Sequence, residues 1–279
     1  MAGNTLRDVL NQAAERLAHV STGTRDAELL LLRALGRDRA WLLTHADAPI
    51  TDEQIAQLHG WVARRARHEP VQYILGEQEF YGLPMRVTPA VLIPRPETEH
   101  LVEATLARLP RDHAIEVADV GTGSGAIAVA LAHALPLARL TALDISPKAL
   151  DVARSNAERH GVADRVRLVE SDLLSAVRSE RFFAVVANPP YVAETEALEA
   201  QVRQYEPHGA LFAGPTGLDV YQRLIPQAQE VLEPGGWLLL EIGHGQRDAL
   251  AELLAGWNEV SFQADLQGIP RVAIAQRRG

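Results

Sequence analysis

Five consecutive residues, Gly121-Thr122-Gly123-Ser124-Gly125, constrain this chain more than any other stretch. Ahead of them, residues 115–120 read as a short buried strand, and behind them Ala126 to Ala130 opens an apolar helix. Glycine at every second position lets a strand turn tightly into a helix and lets a ligand approach the backbone closely. The free N–H groups of the first helical turn then face that ligand. The spacing is G-x-G-x-G and not the G-x-G-x-x-G of dinucleotide folds, so it argues against a nicotinamide cofactor. A nucleotide-like ligand of some kind remains open, and the rest of the chain has to narrow it.

From residue 115 onward strands and helices alternate, which predicts an α/β fold with a doubly wound, Rossmann-like parallel sheet. Strands are expected at 115–120, at 139–143 ending on Asp144, and at 166–169 followed by Ser171-Asp172. A fourth, 182–187, ends on Asn188, and a fifth, 237–242, follows a turn at Glu233-Pro234-Gly235-Gly236. Residues 258–264 and 271–275 make a final pair.

The first seventy residues have a different texture. Leu6, Val9, Leu10, Ala13, Ala14 and Leu17 share one helical face. Further helices are expected at 25–35, stopped by Gly36, at 40–45, and from the capping box Thr51-Asp52-Glu53-Gln54 to about His68, ended by Pro70. These predict a small helical bundle over 1–70, either a docking module for a macromolecular partner or a structural lid. Arg64, Arg65 and Arg67 are expected as a solvated helix end favoured by the helix dipole. Residues 71–76 and 80–87 are expected as two strands of a hairpin within a linker over 71–96. Arg95-Pro96-Glu97 then enters a helix running to Leu109, as a rigid cap or as a roof over the ligand site.

Composition removes several functions. Among 279 residues there is no cysteine, which excludes disulfides, zinc–thiolate sites and a cysteine nucleophile, and no metal site is expected. The N-terminus lacks a signal-peptide core, and no apolar run approaches the roughly 20 residues of a membrane span, so a cytoplasmic protein is expected. The formal net charge of −9 opposes tight, sequence-independent binding to nucleic acid, which depends on neutralising phosphates.

Ligands of an open parallel sheet bind beyond the carboxyl ends of its strands, and three polar signals fall there. Asp144 is placed to accept hydrogen bonds from both hydroxyls of a ribose, since Ser146-Pro147 already supplies a helix cap. Asp172 could accept from an adenine amino group with Leu173 packed on the ring, or could simply cap a turn. Asn188-Pro189-Pro190-Tyr191 faces the glycine turn across the switch point. Its residue types suit methyl transfer to a planar, conjugated nitrogen. The Asn188 side-chain carbonyl and the Pro189 backbone carbonyl can hold the two N–H groups of an amide or exocyclic amine, and Tyr191 can stack on the flat group. The G-x-G-x-G spacing is itself similar to the first motif of the Rossmann-like S-adenosylmethionine methyltransferases.

Together these stretches resemble one family. Ile93-Pro94-Arg95-Pro96-Glu97-Thr98-Glu99, then Asp119 to Gly125, then Asn188 to Tyr191 occur in the order and spacing of the bacterial, HemK-like release-factor glutamine methyltransferases. Arg25-Asp26-Ala27-Glu28, Gly76 to Tyr81, and Tyr205-Glu206-Pro207 with Ala210-Leu211 extend the likeness over nearly the whole chain. The resemblance implies methylation, by S-adenosyl-L-methionine, of the side-chain amide nitrogen (N5) of the glutamine in the Gly-Gly-Gln tip of peptide chain release factors. It implies that residues 1–70 help grip the release factor and that 97–279 form the methyltransferase domain. Gly121, Thr122, Gly123, Ser124, Gly125, Asp144, Asp172, Leu173 and Asn188 would contact the methyl donor. Asn188, Pro189, Pro190 and Tyr191 would hold the substrate amide, in an enzyme expected to work as a monomer. Leu173 stands where a Trp often follows the Asp. A ribosomal-protein glutamine is the neighbouring alternative substrate, an adenine-N6 nucleic-acid substrate is opposed by the charge, and a non-catalytic donor-binding module is opposed by the intact Asn188-Pro189-Pro190-Tyr191.

Overall fold

A computed structural model describes residues 5–279; residues 1–4, the start of the expected helical bundle, lie outside the described residues. The chain divides into two units, one running to Gly76 and including Leu198–Tyr205, the other comprising Glu77–Ala197 and Glu206–Gly279.

The first unit is helical. Thr5 and Asp8 cap α1 (Leu6–Arg16) reciprocally, and Thr51 and Gln54 do the same for α4 (Asp52–Arg65), each pair satisfying backbone N–H groups that the first turn leaves open. Between them lie α2 (Gly23–Leu35), closed by Gly36 in the left-handed region, and α3 (Arg39–Thr44). Leu6, Val9, Leu30, Leu31, Leu58 and Val62 form its buried core. Two sequence expectations change here. Residues 71–76 are not a strand: Val71–Leu75 is a fifth helix, α5, because Pro70 presets its first turn, Gly76 at φ 74° ends it, and Val71 and Ile74 reach the helical core. Arg65 is not solvated either. Its side chain is 3% exposed and its Nε donates to Asp26 Oδ2 at 2.7 Å. The remaining guanidinium N–H groups reach the Glu69 carbonyl, Thr22 Oγ1 and Gln201 Oε1. Arg64 pairs with Glu69. The basic cluster is therefore largely an internal clamp.

The second unit begins with a hairpin, β1 (Glu77–Phe80) and β2 (Leu83–Arg86), shifted from the expected pair because 71–75 is helical. Its two-residue turn, Tyr81-Gly82, has positive φ at both positions, as twisted hairpins require. The non-glycine Tyr81 is held there by its N–H donating to Glu99 Oε1 at 2.9 Å, while the Gly82 N–H donates to Glu79 Oε1 at 2.7 Å. A single 3-10 turn, Pro96–Thr98, leads into α6 (Glu99–Leu106).

Then come β3 (Glu116–Val120), α7 (Ala126–Ala134), β4 (Arg139–Asp144), α8 (Pro147–Arg159), β5 (Val166–Glu170) and β6 (Phe182–Ala187). Residues 198–205, with α9 (Ala200–Tyr205), group with the first unit. The chain continues as α10 (Asp219–Val231), β7 (Leu232–Glu241), α11 (Arg247–Leu253), β8 (Asn258–Ala264) and β9 (Pro270–Gln276). The sheet order is β5-β4-β3-β6-β7-β9-β8, with all strands running one way except β9, which is antiparallel to both its neighbours, β7 and β8. The winding reverses between β3 and β6, so the switch point lies between the glycine turn and Asn188. The expected turn at 233–236 is absorbed into β7 as a bulge opposite Phe183, where a side chain on Gly236 would meet the Phe183 carbonyl at 3.0 Å. One face of the sheet packs Val117, Leu131 and Leu140, the other Phe182, Tyr221, Leu224 and Leu238. Side chains buried on both faces explain why strand β6 reads as a continuous apolar run.

Candidate functional site

The glycine turn is built on a buried carboxylate. Asp119, the penultimate residue of β3, accepts from Thr122 Oγ1 at 2.6 Å and from the Ala128 N–H at 3.1 Å through Oδ2, tying the turn to the first turn of α7. Complete burial, opposed by those bonds, pushes its carboxyl up to about 7, and Oδ1 has no partner among the described residues. Gly121 and Gly123 have φ of 72° and 54°, and a side chain on Gly121 would meet nothing within 4 Å, so the turn presents bare backbone to open space. Gly125 serves packing: at φ 80°, a Cβ there would lie 3.0 Å from that of Ala153 on α8.

That open space is a cavity of about 480 Å³ at the carboxyl ends of the strands. Gly121 to Ser124, Asp144, Asp172, Leu173, Asn188 and Pro190 all line it, whereas Gly125, Pro189 and Tyr191 do not. Arg95, Thr98 and Arg223 also border it, of which the sequence pointed only to Arg95 as part of a cap or roof. Arg95 is braced by Glu206, whose buried carboxylate also accepts from the Ile93 N–H at 3.1 Å. Tyr205-Glu206-Pro207 thus includes the residue that fixes the entry to α6.

Asp144 bridges two backbone segments: Oδ2 accepts from the Gly123 N–H and Oδ1 from the Ser146 N–H, both at 2.9 Å. Burial raises its pKa and the backbone bonds hold it back. Each oxygen keeps a lone pair for a further donor. Ser146 caps α8 through the Ala149 N–H, so Asp144 is free of that duty. Asp172 is ion-paired with Arg223 of α10, a partner that no short-range pattern announced, and Leu173 takes φ 52°.

At the end of β6 the Asn188 side chain donates from Nδ2 to Thr98 Oγ1 at 3.0 Å, leaving Oδ1 as its acceptor. Tyr191 is not among the residues that line the cavity. Its hydroxyl donates to Glu241 Oε1 at 3.4 Å, and its backbone carbonyl accepts from Gln246 Nε2 at 3.0 Å. Gly217 and Gly243 make room for it, since a Cβ on either would fall 2.2 Å from the Tyr191 carbonyl oxygen or 3.0 Å from its ring. Burial pushes the Tyr191 hydroxyl well up. Among the described residues no group of His, Asp or Glu could hold a metal ion, and no helix is long and apolar enough to cross a membrane.

Two family models match separate parts of the chain. The family model described as the PrmC N-terminal domain matches residues 8–76, and that of the methyltransferase small domain matches 98–205. A release factor glutamine methyltransferase of Koribacter versatilis is 46% identical, with 98% of this chain and 99% of the relative covered. One of Geobacter sulfurreducens is 46% identical over 96% of this chain and 95% of the relative. Among solved structures, a ribosomal protein L11 methylase from Lactobacillus delbrueckii superposes with TM-score 0.50 at 24% identity, covering 66% of this chain and 81% of that one. A Thermus thermophilus 16S rRNA N2 G1207 methyltransferase, solved with AdoMet and guanosine, gives TM-score 0.54 at 21% identity, covering 72% and 50%. At that identity these two structures show the fold alone.

Proposed function

The chain belongs to the release factor glutamine methyltransferases, and from that premise we propose how its own residues carry the reaction. The reaction is methylation of a release-factor glutamine. We assign the methyl donor as S-adenosyl-L-methionine and the accepting atom as the side-chain amide nitrogen, N5, of the glutamine in the Gly-Gly-Gln tip. The cavity fits such a donor: bare backbone at Gly121 and Gly123 suits close approach, Asp144 has spare acceptor capacity for a ribose, and Leu173 offers an apolar edge for a base. Asp172 holds its Arg223 partner while one oxygen remains for an amino group. When bound, S-adenosylmethionine supplies an electrophilic methyl group and leaves as a neutral thioether.

The observation that carries the reading is Asn188, fixed at the switch point with its amide N–H committed to Thr98. An amide nitrogen is a poor nucleophile because its lone pair is delocalised into the carbonyl. Asn188 Oδ1 and the Pro189 carbonyl accept its two N–H groups, aim it, and stabilise the positive charge that develops on it. Pro190 walls the cavity and Tyr191 backs the motif. The methylated nitrogen gives up one proton to water, so no strong base is required. Much of the rate then comes from alignment in a pocket from which water is displaced.

We read the helical first unit as the part that grips the release factor. One copy carries every residue named for the site, in keeping with a monomer, and a substrate of the translation machinery fits a cytoplasmic enzyme. The experiment is transfer of labelled methyl groups from S-adenosylmethionine to a purified release factor, beside one whose tip glutamine is replaced. Label on the first alone is the expected result. Label on both would move the target elsewhere, and label on neither would overturn the assignment.

A further inference from the structure

One helix holds the segment after β5 at two points. Arg223 Nη2 of α10 donates to Asp172 Oδ2. Gln227 Oε1, one turn further along the same helix, accepts from the Leu174 N–H at 3.0 Å. Residues four apart share a helix face, and Val220, three before Arg223, continues it. Val220, Arg223, Asp172 and Leu173 all line the cavity. Leu173, between the two anchored residues, has φ 52°, in the left-handed region that residues with a Cβ avoid. Such a backbone persists where its surroundings over-determine it, and the bonds to Asp172 and Leu174 flank it on both sides. Leu174 is itself buried in the same core as Tyr221 and Leu224 of α10, so that anchor is firm.

Stability does not account for the Arg223–Asp172 pair. The two side chains are 53% and 49% exposed, and ion pairs that open to water contribute little to folding. Position does account for it. A lone aspartate at the edge of a cavity can rotate its carboxylate into solvent. With Oδ2 committed to Arg223, Asp172 keeps Oδ1 as an acceptor beside Leu173. An ionised carboxylate has no hydrogen to give, so this stretch of wall accepts hydrogens and repels a carbonyl oxygen.

We propose that Arg223 and Gln227 are specificity-determining positioning residues of the donor cavity: from one face of α10 they hold Asp172 and Leu173 so that the wall admits a base with an amino group there and rejects one with a carbonyl. This rests on the assignment of the cavity to S-adenosylmethionine with Asp172 at its base, and adds the groups that make that contact selective. Adenine carries the amino group. Hypoxanthine, the same ring system with a carbonyl in its place, presents an acceptor to an acceptor. Arg223 lies 51 residues beyond Asp172 and Gln227 lies 53 beyond Leu174, so no local motif announces either.

The test measures binding to the full chain by calorimetry, with S-adenosyl-L-homocysteine and S-inosyl-L-homocysteine as paired probes. Wild type should prefer the adenosyl compound by about 10- to 100-fold, the span of one hydrogen bond to a charged group. Asp172→Ala should erase most of that preference. Arg223→Ala should lower it by up to about tenfold while the thermal midpoint stays near wild type, because the pair is exposed. Gln227→Ala should lower the preference too, and in the ligand-free protein it should speed hydrogen exchange at the Leu174 amide. In an Asp172→Ala background, Arg223→Ala should change the preference no further.

A preference unchanged in Arg223→Ala would overturn the proposal, as would a loss that falls equally on both probes. A further drop on adding Arg223→Ala to Asp172→Ala would also overturn it, since the arginine would not then act through the aspartate. Failure of the premise looks different. Wild type that binds neither probe would remove the donor assignment itself, and an intact preference in Asp172→Ala would take the base contact away from Asp172 and the role of Arg223 with it. Unaltered exchange at Leu174 in Gln227→Ala would reject the second anchor whatever the cavity binds.

Discussion

The side chain of Asn188 donates to Thr98 Oγ1 at 3.0 Å, joining the end of β6 to the turn that opens α6 across ninety residues of chain. The contact converts a motif residue at a strand end into a group of defined polarity. An asparagine free to rotate at a cavity wall would offer donor and acceptor alternately. Pinned through its NH2, it offers an acceptor, which is the part a polarised amide nitrogen needs.

Replacing Asn188 by Ala removes that acceptor while leaving Gly121 to Ser124 and Asp144 in place. A single preorganised hydrogen bond to developing charge is worth roughly 10²- to 10³-fold in kcat. We expect a loss of that size in methyl transfer with donor affinity, measured by calorimetry, within a few-fold of wild type. Equal losses in both would make Asn188 mainly a wall of the donor site.

Asp144→Ala should show the opposite pattern. It strands the Gly123 and Ser146 N–H groups, each 2.9 Å from the lost carboxylate. Leaving buried donors unsatisfied costs about 1–3 kcal/mol apiece. The donor KM should rise by tenfold or more and the thermal midpoint should fall, whereas kcat at saturating donor should change least. Unaltered donor affinity would exclude Asp144 from the donor site.

In the helical unit, Arg65→Met should lower stability by about 3–5 kcal/mol, because it leaves the Asp26 carboxylate buried without its partner. Replacing Asp26 and Arg65 together by apolar residues should cost much less than Arg65→Met alone. Denaturant melts of the two variants check this, and equal losses would show that the pair is not coupled.

Asp119 gives stability a pH dependence with a definite sign. Its folded pKa, about 7, lies above the ordinary 3.8, so the folded state holds a proton that the unfolded state has already released. Stability therefore falls as pH climbs from about 4 to about 7, by up to roughly 1.4 kcal/mol per unit, and levels off above that. Asp119→Asn keeps an acceptor for Thr122 and Ala128 and has nothing to titrate. Its stability relative to wild type should increase between pH 5 and pH 8; the common contribution of Glu241, another buried carboxyl pushed up to about 7, cancels in that difference. A constant difference across the range would show that Asp119 ionises normally.

Much of the architecture was legible because it is written in local chemistry. The capping box at Thr51, glycine at 36, alternating apolar runs and the glycine turn each specify their element through nearby backbone groups. Local chemistry also misled where a distant core decided the outcome. Val71 to Leu75 has the β-branched and aromatic content of a strand, yet Pro70, Gly76 and the helical core make it α5. The arginines near the end of α4 looked solvated because Asp26, the partner of Arg65, lies thirty-nine residues earlier.

The doubly wound sheet follows from the sequence alone, as does the gathering of the glycine turn, Asp144 and Asn188 around the cavity at its carboxyl edge, since each sits where periodicity ends a strand. The groups that brace them are set by contacts across the fold. Thr98, Glu206, Arg223 and Glu241 reach the site region from distant parts of the chain, and a side chain's hydrogen-bond partner depends on which surfaces meet in space. Spacing along a sequence encodes faces and turns. It does not encode the contacts between elements that the fold brings together, and those contacts set the polarity of this site.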